Sequence, residues 1–66
     1  MATRHDVEPF QTPEWVSELT GIPVTTLYAW RTRGQGPPSY KIGRHIRYRA
    51  TECEAWLQEQ RRVARD

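Results

Sequence analysis

Six of the ten Lys and Arg residues of this 66-residue chain fall between positions 31 and 49, and no Asp or Glu interrupts them. They are Arg31, Arg33, Lys41, Arg44, Arg47 and Arg49. The chemistry open to such a set is phosphate recognition. Guanidinium groups present forked donors to phosphate oxygens, and clustered cations gain from the counterions that a phosphate backbone releases when neutralised. The net charge is only +2, so the cations are placed rather than spread. Ahead of the run, Arg4 stands against Asp6, Glu8, Glu14 and Glu18; behind it, Arg61, Arg62 and Arg65 stand against Glu52, Glu54, Glu59 and Asp66. That distribution is the electrostatic footprint of a nucleic-acid partner.

Other chemistries find little support. Cys53 is the only cysteine, so an internal disulfide is impossible, and no Cys/His set has zinc spacing. His5 and His45 lack companions suited to a metal, and nothing near Cys53 marks an activated nucleophile, so Cys53 reads as a small core residue. Glu52 and Glu54 point to different faces of a helix, and no triad is present. Neither an enzyme nor a bound cofactor, metal or small-molecule ligand is expected. No apolar run approaches the roughly 20 residues of a membrane span and no signal-peptide core is seen, so the expected location is the cytoplasm.

The elements that must position the cations follow from pattern. A chain of this size is one domain that buries only about 60% of its unfolded surface. Large aromatics, each burying about 150–250 Å², make such a core efficient. Residues 1–11 show neither helical nor strand period and read as a flexible arm. Thr12 is a natural N-cap with Pro13 at the first helical position, and Trp15, Val16 and Leu19 form an apolar stripe that ends near Gly21. A tight turn through Pro23 leads into a second helix over residues 24–33. There Leu27 and Trp30 share one face, while Thr25, Tyr28, Ala29 and Thr32 fall roughly opposite. Pro23 stands where Ser or Asp usually caps, so this helix lacks a side-chain acceptor, at a cost of about 1 kcal/mol. Two short helices about a Gly-containing turn are the helix-turn-helix pattern.

Gly36, Pro37 and Pro38 force an extended step. Alternation at Tyr40 and Ile42, then at Ile46 and Tyr48, predicts a β-hairpin. A two-residue turn at Gly43 and Arg44 would set Ile42 beside His45. A three-residue turn instead aligns Ile42 with Ile46 and Tyr40 with Tyr48, giving one apolar face and one bearing Lys41, Arg47 and Arg49; this register is expected. Tyr40 and Tyr48 then pack the wing onto the core. A last helix should run from Ala50 or Thr51 to about Ala64, opened by a capping box at Thr51 and Glu54, with Cys53, Trp56 and Leu57 inward and a frayed tail over residues 61–66. The expected fold is mainly α with a small β-hairpin wing, its domain spanning residues 12–60.

With this order of elements in view, the residues themselves resemble the small excisionase-like, MerR-type winged helix-turn-helix family. The resemblance runs from Thr12 to Leu57. It is carried by Leu27, Tyr28, Trp30 and Arg31, by Gly36, Pro37 and Pro38, by Arg47, Tyr48 and Arg49, and by Glu54, Ala55, Trp56 and Leu57, at the family's spacing. The resemblance implies an excisionase, or recombination directionality factor, of a phage or integrative element. Such a protein binds side by side on double-stranded DNA at attachment sites, bends it, self-associates there and directs an integrase toward excision. It also implies that the second helix enters the major groove, with Thr25, Thr26, Tyr28 and Arg31 as contacts and Arg33 beside them. Lys41, Arg44, His45 and Arg47 become wing contacts. Many relatives carry Gly where Arg44 stands, which would strain Arg44 if that position needs positive φ.

Two other classes use the same features. A small transcriptional regulator binding a promoter would share the fold, although MerR-type regulators add a long dimerisation helix and an effector domain that this sequence does not reach. A protein adaptor would not need an acid-free basic segment. Trp15, Trp30 and Trp56 read as core rather than as stacking platforms for bases. Arg61, Arg62 and Arg65 suit either helix-end electrostatics or a contact with DNA or integrase.

Overall fold

The computed structural model describes residues 8–64. Helix α1, Pro13–Thr20, begins as its cap dictates: the Trp15 amide donates to Thr12 Oγ1 at 3.0 Å, with Pro13 at the first helical position. It ends where the Gly21 amide donates to the Ser17 carbonyl at 2.7 Å. Thr20 Oγ1 donates to the Val16 carbonyl and accepts from the Ile22 amide, which pins the turn. Helix α2, Val24–Thr32, starts at Pro23, and no side chain caps it. Its far end closes firmly, because the Gly34 and Gln35 amides return to the Arg31 and Trp30 carbonyls at 3.1 and 2.8 Å. This double closure is the Schellman arrangement.

Strands β1 (Phe10–Gln11), β2 (Tyr40–Ile42) and β3 (His45–Arg49) form an antiparallel sheet in the order β1-β3-β2. Helix α3, Ala50–Ala64, follows β3 without a loop. The core lies where α1, α2, β3 and α3 meet and consists of Val16, Leu27, Ile46, Tyr48 and Cys53, with Trp15, Ile22 and Trp30 packed against it. Trp30 meets Trp56 across α2 and α3 with ring centroids 6.0 Å apart. Burial raises the Cys53 thiol pKa to about 11, with Glu52 and Glu54 adding to the shift, so at neutral pH it is a neutral core group. Among the described residues, three helices and a small three-stranded antiparallel sheet thus make a mainly α, winged helix-turn-helix fold.

Four expectations are corrected. The hairpin turns through two residues: Ile42 pairs with His45, Lys41 with Ile46 and Tyr40 with Arg47. Gly43 takes φ +65°, and among the described residues none other than glycine has positive φ, so the turn is of the II′ kind and Arg44 is unstrained. A three-residue loop would have moved the left-handed conformation onto His45, which glycine at position 43 makes unnecessary. Ile42 therefore shares a face with His45 and Arg47, not with Ile46, and Tyr40 stays out of the core.

The second correction concerns residues 1–11. Phe10 and Gln11 pair with Arg49 and Tyr48, so the end of the expected arm is a strand; residues 1–7 lie outside the described residues. The third is the capping box. The Thr51 amide and hydroxyl both donate to the Glu8 carboxylate, at 2.8 and 2.7 Å, so the acceptor at the start of α3 comes from 43 residues away. The fourth is Leu19, which α1 leaves exposed. The tail of α3 is helical through Ala64, with residues 58–63 exposed; Arg65 and Asp66 lie outside the described residues.

Candidate nucleic-acid interface

Helix α2 sorts its residues by angle. Leu27 is buried and Trp30 half-buried, which commits that side to the core. Thr25, Tyr28 and Thr32, within about 60° of one another around the axis, are all exposed. Tyr28 keeps 44% of its surface in solvent, a large share for an aromatic. The Thr32 hydroxyl donates to the Ala29 carbonyl at 2.8 Å. Thr32 was not among the expected contacts, although its place on the outward face was legible from the helical period.

Thr26 is half-buried on the flank of α2 and Arg31 is half-buried on the other. Arg31 and Tyr28 lie near enough to the Tyr48 hydroxyl to influence it electrostatically, which joins α2 to the base of the hairpin. Burial is the main cause that raises the Tyr48 pKa, with Arg31 opposing, so this phenol stays protonated in the core. Arg33 sits exposed at the C-cap of α2.

The wing splits the remaining candidates. Arg44 is exposed at the turn, and His45 begins the outward face of β3. Arg47, two residues on, shares that face and is half-buried, its Nη1 donating to the Ile46 carbonyl at 2.7 Å. Lys41, opposite Ile46, belongs to the other face, at the exposed edge strand. The expected single face bearing Lys41, Arg47 and Arg49 is therefore not formed. Arg47 and Arg49 share one side, Lys41 stands on the other, and Arg44 caps the tip between them.

Arg49 differs from the other five cations. Its guanidinium lies 4.9 Å from the centre of the Phe10 ring and 5.7 Å from that of Tyr40, and the two rings meet edge to face at 5.0 Å. Tyr40 in turn donates its hydroxyl to both Glu52 oxygens, at 3.1 and 2.9 Å. Arg49 thus knits β1, β2 and the start of α3 together. No local pattern announces this cluster, because its members are brought together by β1, a strand of two residues.

Among the described residues, no helix is long and apolar enough to cross a membrane. No group of three or more His, Cys, Asp or Glu among them is placed to hold a metal ion. An exposed face on the second of two helices, a basic hairpin beside it and a third helix behind define the class: a winged helix-turn-helix protein. The family model described as a helix-turn-helix domain matches residues 12–61. The chain belongs to this DNA-binding family, which includes excisionase-like proteins. No curated protein and no solved structure matches the chain.

Proposed function

We propose that this chain is an excisionase, a sequence-specific DNA-binding protein of a phage or integrative element that coats an attachment site, bends it and directs an integrase toward excision. The observation that carries this reading is the acid-free run of six cations over residues 31–49, all off the core at the end of α2 and on the hairpin, with five of them outside the Phe10–Tyr40–Arg49 cluster. In this reading α2 lies in the major groove. Thr25, Thr26 and Tyr28 meet base edges and backbone there, Arg31 reaches a guanine or a phosphate, and Arg33 follows the strand. Arg44, at the wing tip, and His45 and Arg47 meet the flanking backbone or minor groove, while Lys41 approaches from the other side of the hairpin. A surface this small binds weakly as one copy, so specificity comes from several copies on adjacent sites and from the sequence-dependent cost of bending.

Footprinting with gel-shift titration at two salt concentrations, on DNA spanning an attachment site beside an integrase gene, tests the reading. A cooperative ladder with periodic protection is expected. A single discrete footprint over a promoter would assign the chain to transcriptional control instead, and no salt-sensitive binding would remove DNA as the partner. Arg31→Ala and Arg47→Ala should each weaken binding about tenfold and reduce the salt slope by about 0.9 per lost phosphate contact, with thermal stability nearly unchanged. Loss of folding in both would show that they serve the core rather than the interface.

A further inference from the structure

A furrow of about 540 Å³ runs between α3 and the start of β2, lined mainly by apolar surface from Pro38, Tyr40, Ala55 and Trp56 and rimmed by Glu52 and Glu59. The two acids are seven residues apart, two helical turns or about 10 Å along α3, with Trp56 between them. The furrow is not on the side that α2 turns outward. Trp30, which packs on Trp56, lies roughly 140–160° around α2 from Thr25 and Tyr28. An acidic, partly apolar slot therefore stays open while the basic face is occupied by a phosphate backbone.

The chain carries the complement of this slot at its other end. Arg61, Arg62 and Val63 stand on the exposed last turns of α3, and Val63 leaves 67% of its surface in solvent. Arg62 reaches its own Glu59 at 3.0 Å, but both side chains are largely exposed, so that pair holds little and exchanges readily. The tail cannot enter the furrow of its own molecule, because both belong to one continuous helix, Ala50–Ala64. We infer that the furrow receives the α3 tail of a second copy, with Arg61 and Arg62 meeting Glu59 and Glu52 and Val63 resting against Trp56. Such a contact joins unlike surfaces, so it does not close on itself and extends into an open array. This rests on the reading of a protein that coats adjacent sites, and names the surface through which the copies touch.

Two variants with mismatched charges test it. Glu59→Arg removes the net negative charge of the furrow and sets a cation against the basic tail; Arg61→Glu with Arg62→Glu leaves both furrow and tail acidic. Binding is titrated on DNA carrying one site and on DNA carrying two adjacent sites, with folding checked by thermal melts. Each variant alone should bind two-site DNA without the cooperative step of the unaltered chain. An equimolar mixture should regain it, because in mixed pairs the tail of one variant meets the opposite charge at position 59 of the other. Cooperativity kept by either variant alone, or not regained by the mixture, would overturn the docking. An unaltered chain without any cooperative step would overturn both the array reading and this contact. Retained single-site affinity of Glu59→Arg separates loss of docking from loss of DNA binding.

Discussion

Helix α2 and the wing both face outward, yet they are held in different ways. α2 is anchored through Leu27 and Trp30 to the core and to Trp56, and its end is closed by two backbone bonds. The wing commits only alternate residues of one strand, Ile46 and Tyr48, to that core, while every residue of β2 is exposed. What steadies β2 is its ladder with β3 and the surface cluster of Phe10, Tyr40, Arg49 and Glu52. The surface proposed to read a groove is thus fixed by buried packing, and the surface proposed to follow the backbone by exposed, individually weak contacts. Damage to the first should unfold the domain, and damage to the second should loosen the wing alone.

The largest expected effect is at the anchor of α2. Leu27→Ala removes a side chain that is 1% exposed and should cost about 2–5 kcal/mol. That is most of the stability a domain this small possesses, so a melt should show a largely unfolded protein at 25 °C. Gly36→Ala follows. Gly36 has φ +82°, and a Cβ there would stand 2.9 Å from Trp30 Cε3, against a ring already held by Trp56. A loss of about 1–3 kcal/mol is expected, with a shift in tryptophan fluorescence as Trp30 moves. An unchanged spectrum would mean that the ring yields freely and that α2 is less firmly held than its packing indicates.

Ile42→Ala probes the wing in the same terms. Ile42 is 48% exposed and pairs with His45 on the outward face. Its truncation should change stability by no more than about 0.5 kcal/mol. A core-sized loss would restore the register in which Ile42 lies beside Ile46, and would erase the contrast between the two regions.

The same contrast explains what the sequence made legible. The helices were readable because their signals are local: Thr12 and Pro13 open α1, Gly34 closes α2, and Leu27 with Trp30 three positions on defines a face. The outward set of α2 followed from that period, and the chain's place in a helix-turn-helix family rests on the same stretch. The hairpin was readable as a hairpin but not in register. Ile42 and Ile46 look like partners only if all apolar residues must share one face, and at an edge strand they need not. Glu8 and Phe10 were unreadable for a different reason. Their partners, Thr51 and Arg49, are distant in sequence, and a two-residue strand leaves no period to detect.

Glu8 gives the smallest effect and the sharpest separation of the two regions. Its carboxylate accepts from the Thr51 hydroxyl and the Thr51 amide, and these bonds, hydroxyl first, lower its pKa below the ordinary 4.5. A carboxylate whose folded pKa is depressed adds stability that is present above its unfolded pKa and is lost as pH falls through the folded value. Glu8→Gln keeps the shape without the charge. The variant should therefore melt slightly below the unaltered chain at neutral pH, and the two curves should converge as the pH drops below 4.5, the ordinary value for the group. A gap that persists in acid would mean that the shape of the side chain, and not its charge, caps α3. Amide exchange should quicken first at Phe10 and Gln11, which Glu8 ties to the start of α3, and leave α2 unaffected. Equal quickening along α2 would show that the helix and the wing are held as one unit after all.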